Sequence, residues 1–202
     1  MNLELDDGKH ILCRYKEIED HPDPCFKELT YGECSYFAPT IREHIKAGSH
    51  YFFQTTINRQ RYIMAHYFVE KVVEGCEARR DNKIKNKYKN NPHIHPEEHP
   101  IWWGGSYDPE DDPMTNDGDI IIFGDKKRSL GKLKTPLPLD RELGKKLEFE
   151  SGKKIKYDIV DKNGEKLTDT ACLSSCTRVP RLITKNDVIT LFNAISLMYN
   201  KE

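Results

Sequence analysis

Between residues 34 and 75 the order of apolar and polar positions predicts three elements. Ile41 and Ile45 fall four apart, with Arg42, Glu43 and Lys46 on the other side, which predicts an amphipathic helix over 38–47. Gly48 is placed to end it by taking a left-handed conformation without Cβ strain. Tyr51-Phe52-Phe53 then opens a strand. Across the polar turn Asn58-Arg59-Gln60, Tyr62, Met64, His66 and Phe68 alternate with Ile63, Ala65, Tyr67 and Val69. That alternation predicts a second strand with both faces covered, paired with the first as a hairpin.

Further along the pattern is uneven. From Arg79 to Pro113 there is little periodicity; a basic, Asn-rich, Pro-broken run gives way to an acidic one, so 79–118 is expected to be a long polar loop or excursion. Asp119 heads Ile120-Ile121-Ile122-Phe123, a buried strand closed by Gly124. Leu137, Leu139, Leu143 and Leu147 predict a helix over 139–147, with Asp140 and Glu142 near its positive end and Lys145 and Lys146 near its negative end. Ile155 to Val160 alternates as a strand, and Asn163-Gly164 supplies a hairpin turn. Thr184 and Asp187 sit in capping-box positions before the stripe Val188, Leu191, Phe192, Ile195 and Met198, which predicts a C-terminal helix over 184–199. The expected fold is α+β: a single domain over 1–202 with a small mixed or antiparallel, barrel-like sheet and flanking helices.

A chain of 202 residues buries roughly 70% of the surface its unfolded form exposes and folds without covalent staples. The formal charge of −1 argues against a uniformly basic nucleic-acid coat, but 32% charged residues leave room for local basic patches. No secretion-type leader and no run of about 18 apolar residues is present, so a soluble, cytoplasmic protein without membrane contact is expected. Six irregularly spaced cysteines then read as reduced thiols. Cys172-x-x-x-Cys176 lacks the second close pair that a structural zinc needs.

Candidate chemistry concentrates in the excursion. His93, His95 and His99 lie beside Glu97 and Glu98, a donor set suited to zinc, iron or manganese, but Pro92, Pro96 and Pro100 prevent a regular helix from aligning them. An exposed polar loop is the plainer reading. Trp102-Trp103 precedes Gly104-Gly105, and an indole face stacks a base for about 1–3 kcal/mol. Asp108, Glu110, Asp111, Asp112, Asp117 and Asp119 evoke Mg²⁺-holding carboxylates, yet Asp125 and Lys127 follow the strand instead of lying on a neighbouring one. No phosphate-binding Gly loop and no Gly-x-Ser-x-Gly elbow occurs. Cys34, ahead of the first helix, is a candidate for a thiol of lowered pKa or for a plain buried cysteine.

The stretch from Pro24 to Phe53, with YIMAHYFVEKVV after it and GDIIIFGDKKRSLGKLKTPLPLDRELGKKLEF further on, resembles the nucleotide modification associated domains, over residues 10–150. Ser49 after the helix-ending Gly, where Asp is commoner, and the lack of a Lys between Cys34 and Pro39 depart from that pattern. The order of helix, Gly and hairpin is also similar to the PUA-like barrels of the EVE, ASCH and YTH groups. These resemblances imply association with DNA modification and a pocket that receives a modified or flipped base. The implied stacking set is Trp102, Trp103, Tyr36, Phe53 and Tyr67, and the implied phosphate contacts are Arg42, Arg59, Arg61, Lys126, Lys127 and Arg128. The expected partner is therefore DNA or a modified nucleotide, with no cofactor required. The alternative is a metal-dependent enzyme acting on DNA or nucleotides, using a divalent metal at His93, His95 and His99 or the acidic run. A protein-interaction domain is the third reading.

Overall fold

The computed structural model describes residues 8–15, 23–34, 37–96 and 118–200. The chain is mixed α+β: a mostly antiparallel sheet of seven strands with flanking helices, one of them C-terminal. It divides into two compact units, each assembled from separate stretches of sequence.

The first unit holds β1 (His10–Arg14), β3 (His50–Ile57), the opening residues of the long strand β4 (Gln60–Glu74), β6 (Gly131–Pro138), α4 (Arg141–Gly144), α5 (Asp169–Thr177), β7 (Arg181–Ile183) and α6 (Lys185–Tyr199). β1 runs parallel to β3 and antiparallel to β7, with Leu12 opposite Phe52 and Arg181. The expected hairpin forms, and it turns on Asn58 and Arg59, both in the left-handed region at φ 48° and 66°. Two consecutive positive φ angles match the right-handed strand twist. The C-terminal helix is as the pattern predicts: Thr184 Oγ1 accepts from Asp187 N, and the Asp187 carboxylate accepts from Thr184 N. Val188, Leu191, Phe192 and Ile195 are buried, at about 1.5–3 kcal/mol of transfer free energy each.

Two expectations in this unit are corrected. The helix expected over 139–147 is one turn, α4, capped by Asp140 Oδ1 on Leu143 N. Residues 155–160 form no strand; Val160 makes a single bridge to Lys166 across the Asn163-Gly164 turn, and its side chain is 61% exposed. Ile155 is buried and the Tyr157 ring lies against Gly144, but Asp158 is left-handed at φ 61° and breaks the extended backbone that a ladder needs.

The second unit holds β2 (Thr30–Glu33), α1 (Ala38–His44), the remainder of β4, α2 (Gly75–Arg80), α3 (Asn82–Lys87) and β5 (Ile120–Gly124). β5 is central, antiparallel to β2 on one side and to β4 on the other, with a register shift between Val69 and Lys71. Every residue of β5 is buried, as a uniformly apolar run requires. Ile121 and Phe123 pack with Ala78, Ile84, Tyr88 and Ile94. α1 stops at His44, earlier than expected, because Ile45 turns extended and buries its side chain; Gly48 is left-handed at φ 91°. The part of the expected excursion that is described is ordered: α2 and α3 occupy 75–87, and residues 91–96 are buried. Their apolar positions 78, 84, 88 and 94 share no single period, since Asp81 breaks the helix and caps the next one on Lys83 N and Ile84 N.

Candidate functional site

In the second unit, four ionisable side chains converge beside the Ile121–Phe123 face of β5. Arg79, on α2, forks onto Asp119, with Nη1 donating to Oδ2 at 2.8 Å and Nη2 to Oδ1 at 3.2 Å. Nη1 also donates to the carbonyl of His93, at 3.1 Å. The His93 ring bridges two carboxylates: Nδ1 lies 3.4 Å from Asp119 Oδ2 and Nε2 lies 3.7 Å from Asp23 Oδ2. Asp23 accepts from Gly32 N at 3.0 Å. The Arg79 and Asp119 side chains are 0% and 1% exposed, and His93 is the most accessible of the four at 11%.

Local structure explains each placement. A tight bridge between Cys25 and Thr30 turns the chain after Asp23, so that its carboxyl meets the backbone of β2. Asn91 builds the turn that carries His93: its Oδ1 accepts from His93 N, its carbonyl from Ile94 N and His95 N, and its Nδ2 donates to Thr30 Oγ1. Two glycines clear the space. A Cβ on Gly32 would sit 2.0 Å from His93 Cδ2, and one on Gly75 would sit 2.0 Å from Asp119 Oδ1. Gly75 N donates to Asp119 O, which sets the start of α2 against the head of β5.

The electrostatics follow from burial and pairing. Burial pushes the Asp23 carboxyl up to about 7, only partly offset by His93 and the Gly32 N–H. Burial alone would lower His93; its bond to Asp119 and the charges of Asp23, Asp119 and Glu33 outweigh that and raise it. Asp119 is also subject to a desolvation penalty, but His93 and Arg79 hold it below the ordinary carboxylate range. The cluster thus sets a carboxyl raised to about 7 and an imidazole raised above its ordinary value next to a buried ion pair, the arrangement by which buried groups are tuned for proton exchange or polar recognition.

The remaining candidates are dispersed. His95 Nε2 donates to the carbonyls of Tyr88 at 2.9 Å and Lys85 at 3.2 Å, a structural role apart from His93. His99, Trp102, Trp103, Tyr36 and the acidic residues from Asp108 to Asp117 lie outside the described residues; of the acidic run, Asp119 joins the cluster. Among the described residues no three His, Cys, Asp or Glu side chains converge as a metal would require. Phe53 and Tyr67 are each 0% exposed: Phe53 packs on Tyr15 and Tyr51 in the first unit, Tyr67 on Phe26 in the second. Neither ring offers a free face for a base in this conformation.

Among the cations, Arg42 forks onto Glu74 at 2.6 and 2.7 Å, beside an open groove of about 440 Å³ also lined by Ile45, Lys46, Lys71 and Ile120. Arg59 stands exposed at the hairpin tip, whereas Arg61 is 1% exposed. Lys126, Lys127 and Arg128 form an exposed turn that Asp125 Oδ1 holds through the N–H groups of Lys127 and Arg128, and the Arg128 guanidinium lies 4.0 Å from the centre of the Phe68 ring. The thiol of Cys34 is pushed up to about 11 by burial and by Glu33, Asp119 and Asp23, the reverse of an activated thiolate. All six cysteines are free.

No family model, curated protein or solved structure matches the chain.

Sequence reasoning missed Asp23 and Arg79. Asp23 precedes a proline and reads as a turn residue, and Arg79 lies in the stretch expected to be loop. The signal that could have found them is the pair Gly32 and Gly75, glycines inside or beside a strand where close approach of another group is the usual cause.

Proposed function

We propose that the protein binds a nucleotide or nucleic acid and reads a modified or flipped base, as a member of the nucleotide modification associated group with a PUA-like barrel. The observation that carries this reading is the buried Asp23–His93–Asp119–Arg79 cluster. Its residues bracket the segment that bears both tryptophans: His93 lies nine residues before Trp102 and Asp119 sixteen after Trp103. A flipped base is recognised by hydrogen bonds to its edge together with aromatic stacking, and the cluster supplies a tuned carboxyl and imidazole for the first while Trp102-Trp103 supply the second. The exposed Lys126–Arg128 turn, in the same unit, provides cations for a phosphate backbone. A 15-residue strand with a register shift, as in β4, is the device by which small sheets curl toward closure.

The test is a tryptophan-fluorescence titration of the full chain with matched oligonucleotides, unmodified or carrying a modified base, in EDTA. Saturable quenching that prefers a modified strand is expected, with affinity lowered about tenfold by Trp102→Ala or Trp103→Ala, the loss of one stacked base. Asp23→Asn is expected to weaken the preference for modification. Equal affinity for all strands, or unchanged affinity in both tryptophan variants, overturns the reading.

One observation favours a second reading. A carboxyl at about 7 in contact with His93 is suited to general acid–base catalysis on the same ligands, with or without a divalent metal. Conversion of the oligonucleotide to product, lost in His93→Gln and sensitive or insensitive to EDTA, would establish the enzyme and decide its metal dependence.

A further inference from the structure

Arg61, second in β4 and in the first unit, is with Arg79 the largest fully buried side chain of the described residues. Its guanidinium makes one hydrogen bond, from Nη2 to Ser174 Oγ at 2.9 Å, and its Nε and Nη1 meet no acceptor. No carboxylate of the described residues pairs with it. The other charge that bears on it is Arg14, of the same sign, at the exposed end of β1; burial and Arg14 together push Arg61 down to about 10. Gln54, 0% exposed and in register with Arg14, lies against the same end of α5: its Nε2 donates to Thr177 O at 3.1 Å, and its Oε1 has no partner. Ser174 and Thr177 are three apart, on one face of α5.

A buried cation with unengaged N–H groups and a like charge nearby is an unfavourable arrangement, since desolvation costs several kcal/mol per ion unless an opposite charge compensates. The described residues supply no such charge. We infer that Arg61 and Ser174, with Gln54 and Arg14 beside them, form a binding site for a small doubly charged oxyanion, a phosphate group. Arg61 receives the anion through its Nε and Nη1 donors, Arg14 adds the second positive charge, and the Ser174 hydroxyl and the Gln54 amide border the site. Two cations match a phosphate dianion better than a carboxylate, and the planar fork of arginine suits its oxygens. The donors are shielded from solvent in this conformation, so a nucleic-acid backbone running over the surface would leave them unengaged. This site stands independently of the base-reading proposal, because it lies in the first unit and involves no tryptophan.

Thermal unfolding of the full chain in chloride, acetate or inorganic phosphate at matched ionic strength tests it, with a deoxynucleoside monophosphate as a further arm. A ligand that binds only the folded state raises Tm in a saturable way, here by roughly 3 °C or more at a hundredfold excess over Kd. Phosphate is expected to do so and acetate is not. A nucleotide that binds at least as well as inorganic phosphate identifies the phosphate as part of a nucleotide, and the reverse order identifies the free anion. Arg61→Met should abolish the phosphate shift while leaving Tm in chloride equal or higher, since it removes an uncompensated charge. Arg14→Ala, at an exposed position that does not threaten folding, should lower phosphate affinity about tenfold, the scale of one charge contact of about 1.4 kcal/mol. Absence of a saturable phosphate shift, an acetate shift of equal size, or an unchanged shift in either variant overturns the inference.

Discussion

His93 and His66 are both buried, and both lie within hydrogen-bond reach of other ionisable side chains, yet their surroundings drive them to opposite charge states. His93, in the second unit, stands between Asp23 and Asp119 and is raised. His66, in the first, has His50 as its neighbour, with His50 Nδ1 and His66 Nε2 2.9 Å apart and His50 N donating to His10 Nδ1. Burial, and then the like charges of His50 and His10, lower His66 well below the ordinary range. Around it pack Phe52 and Phe192, rings 4.8 Å from its own. Burial by itself pushes every histidine toward the neutral form, so the identity of the neighbours decides which one carries a proton. The His66 cluster is core material; the His93 cluster retains buried charge, and buried charge is retained either for function or at a cost in stability.

The comparison breaks most visibly if Arg79 is replaced. Arg79→Met keeps the volume and takes from buried Asp119 its forked guanidinium, leaving His93 beside it, for an expected loss of about 3–5 kcal/mol in urea unfolding. His66→Phe takes from the His50 Nδ1 its His66 partner and should cost about 1–3 kcal/mol. Equal losses would mean that Asp119 finds another partner or takes up a proton, and the charge contrast between the clusters would fall.

A smaller effect is expected at Gly32. Gly32→Ala sets a methyl carbon into the His93 ring, so the ring must move away from Asp23 and Asp119 at a cost of about 1–3 kcal/mol. Its separate signature is a fall in the His93 pKa toward the ordinary value, read from the imidazole C–H resonances by NMR. An unchanged His93 titration would show that the glycine serves only the backbone of β2.

How far the fold and this cluster could be read from sequence follows from which residues carry periodic signals. The hairpin, the Ile120–Phe123 strand and α6 were legible because their burial repeats with period 2, as an unbroken apolar run, or with period 3.6. β2 was not, since Thr30-Tyr31-Gly32-Glu33 is buried throughout without being apolar: the tyrosine hydroxyl donates to Glu33 Oε2 at 2.7 Å and Gly32 donates to Asp23. β1, β6, β7 and α5 are short or mixed in composition and depend on tertiary partners. For the site, the histidine-rich motif pointed to His93, but the spacing that linked it to His95 proved irrelevant, because Asn91 turns the two side chains to different partners. Pairing between positions 23, 79, 93 and 119 is a property of the folded chain alone.

The finest contrast is in pH dependence, where the two clusters are expected to act with opposite sign. His66 is lowered in the folded state, so the stability it confers is present above its unfolded value of about 6.5 and is lost as the pH falls below that. His93 is raised, so its contribution is fully present below about 6.5 and is lost as the pH rises through its higher folded value. Asp23, at about 7 in the fold against an ordinary 3.8, likewise favours the folded state most at low pH and loses that advantage as the pH rises toward 7. Between pH 7.5 and 5.5, amide hydrogen exchange should therefore speed up around His50 and His66, after correction for the intrinsic pH dependence of exchange, while protection around His93 and Gly32 holds or increases. Each unit of pKa shift corresponds to about 1.4 kcal/mol, so the divergence should be on the order of 1 kcal/mol or more. Parallel loss of protection in both regions would show that His93 does not hold a proton between its two carboxylates. The cluster would then be a neutral polar core, like the one around His66.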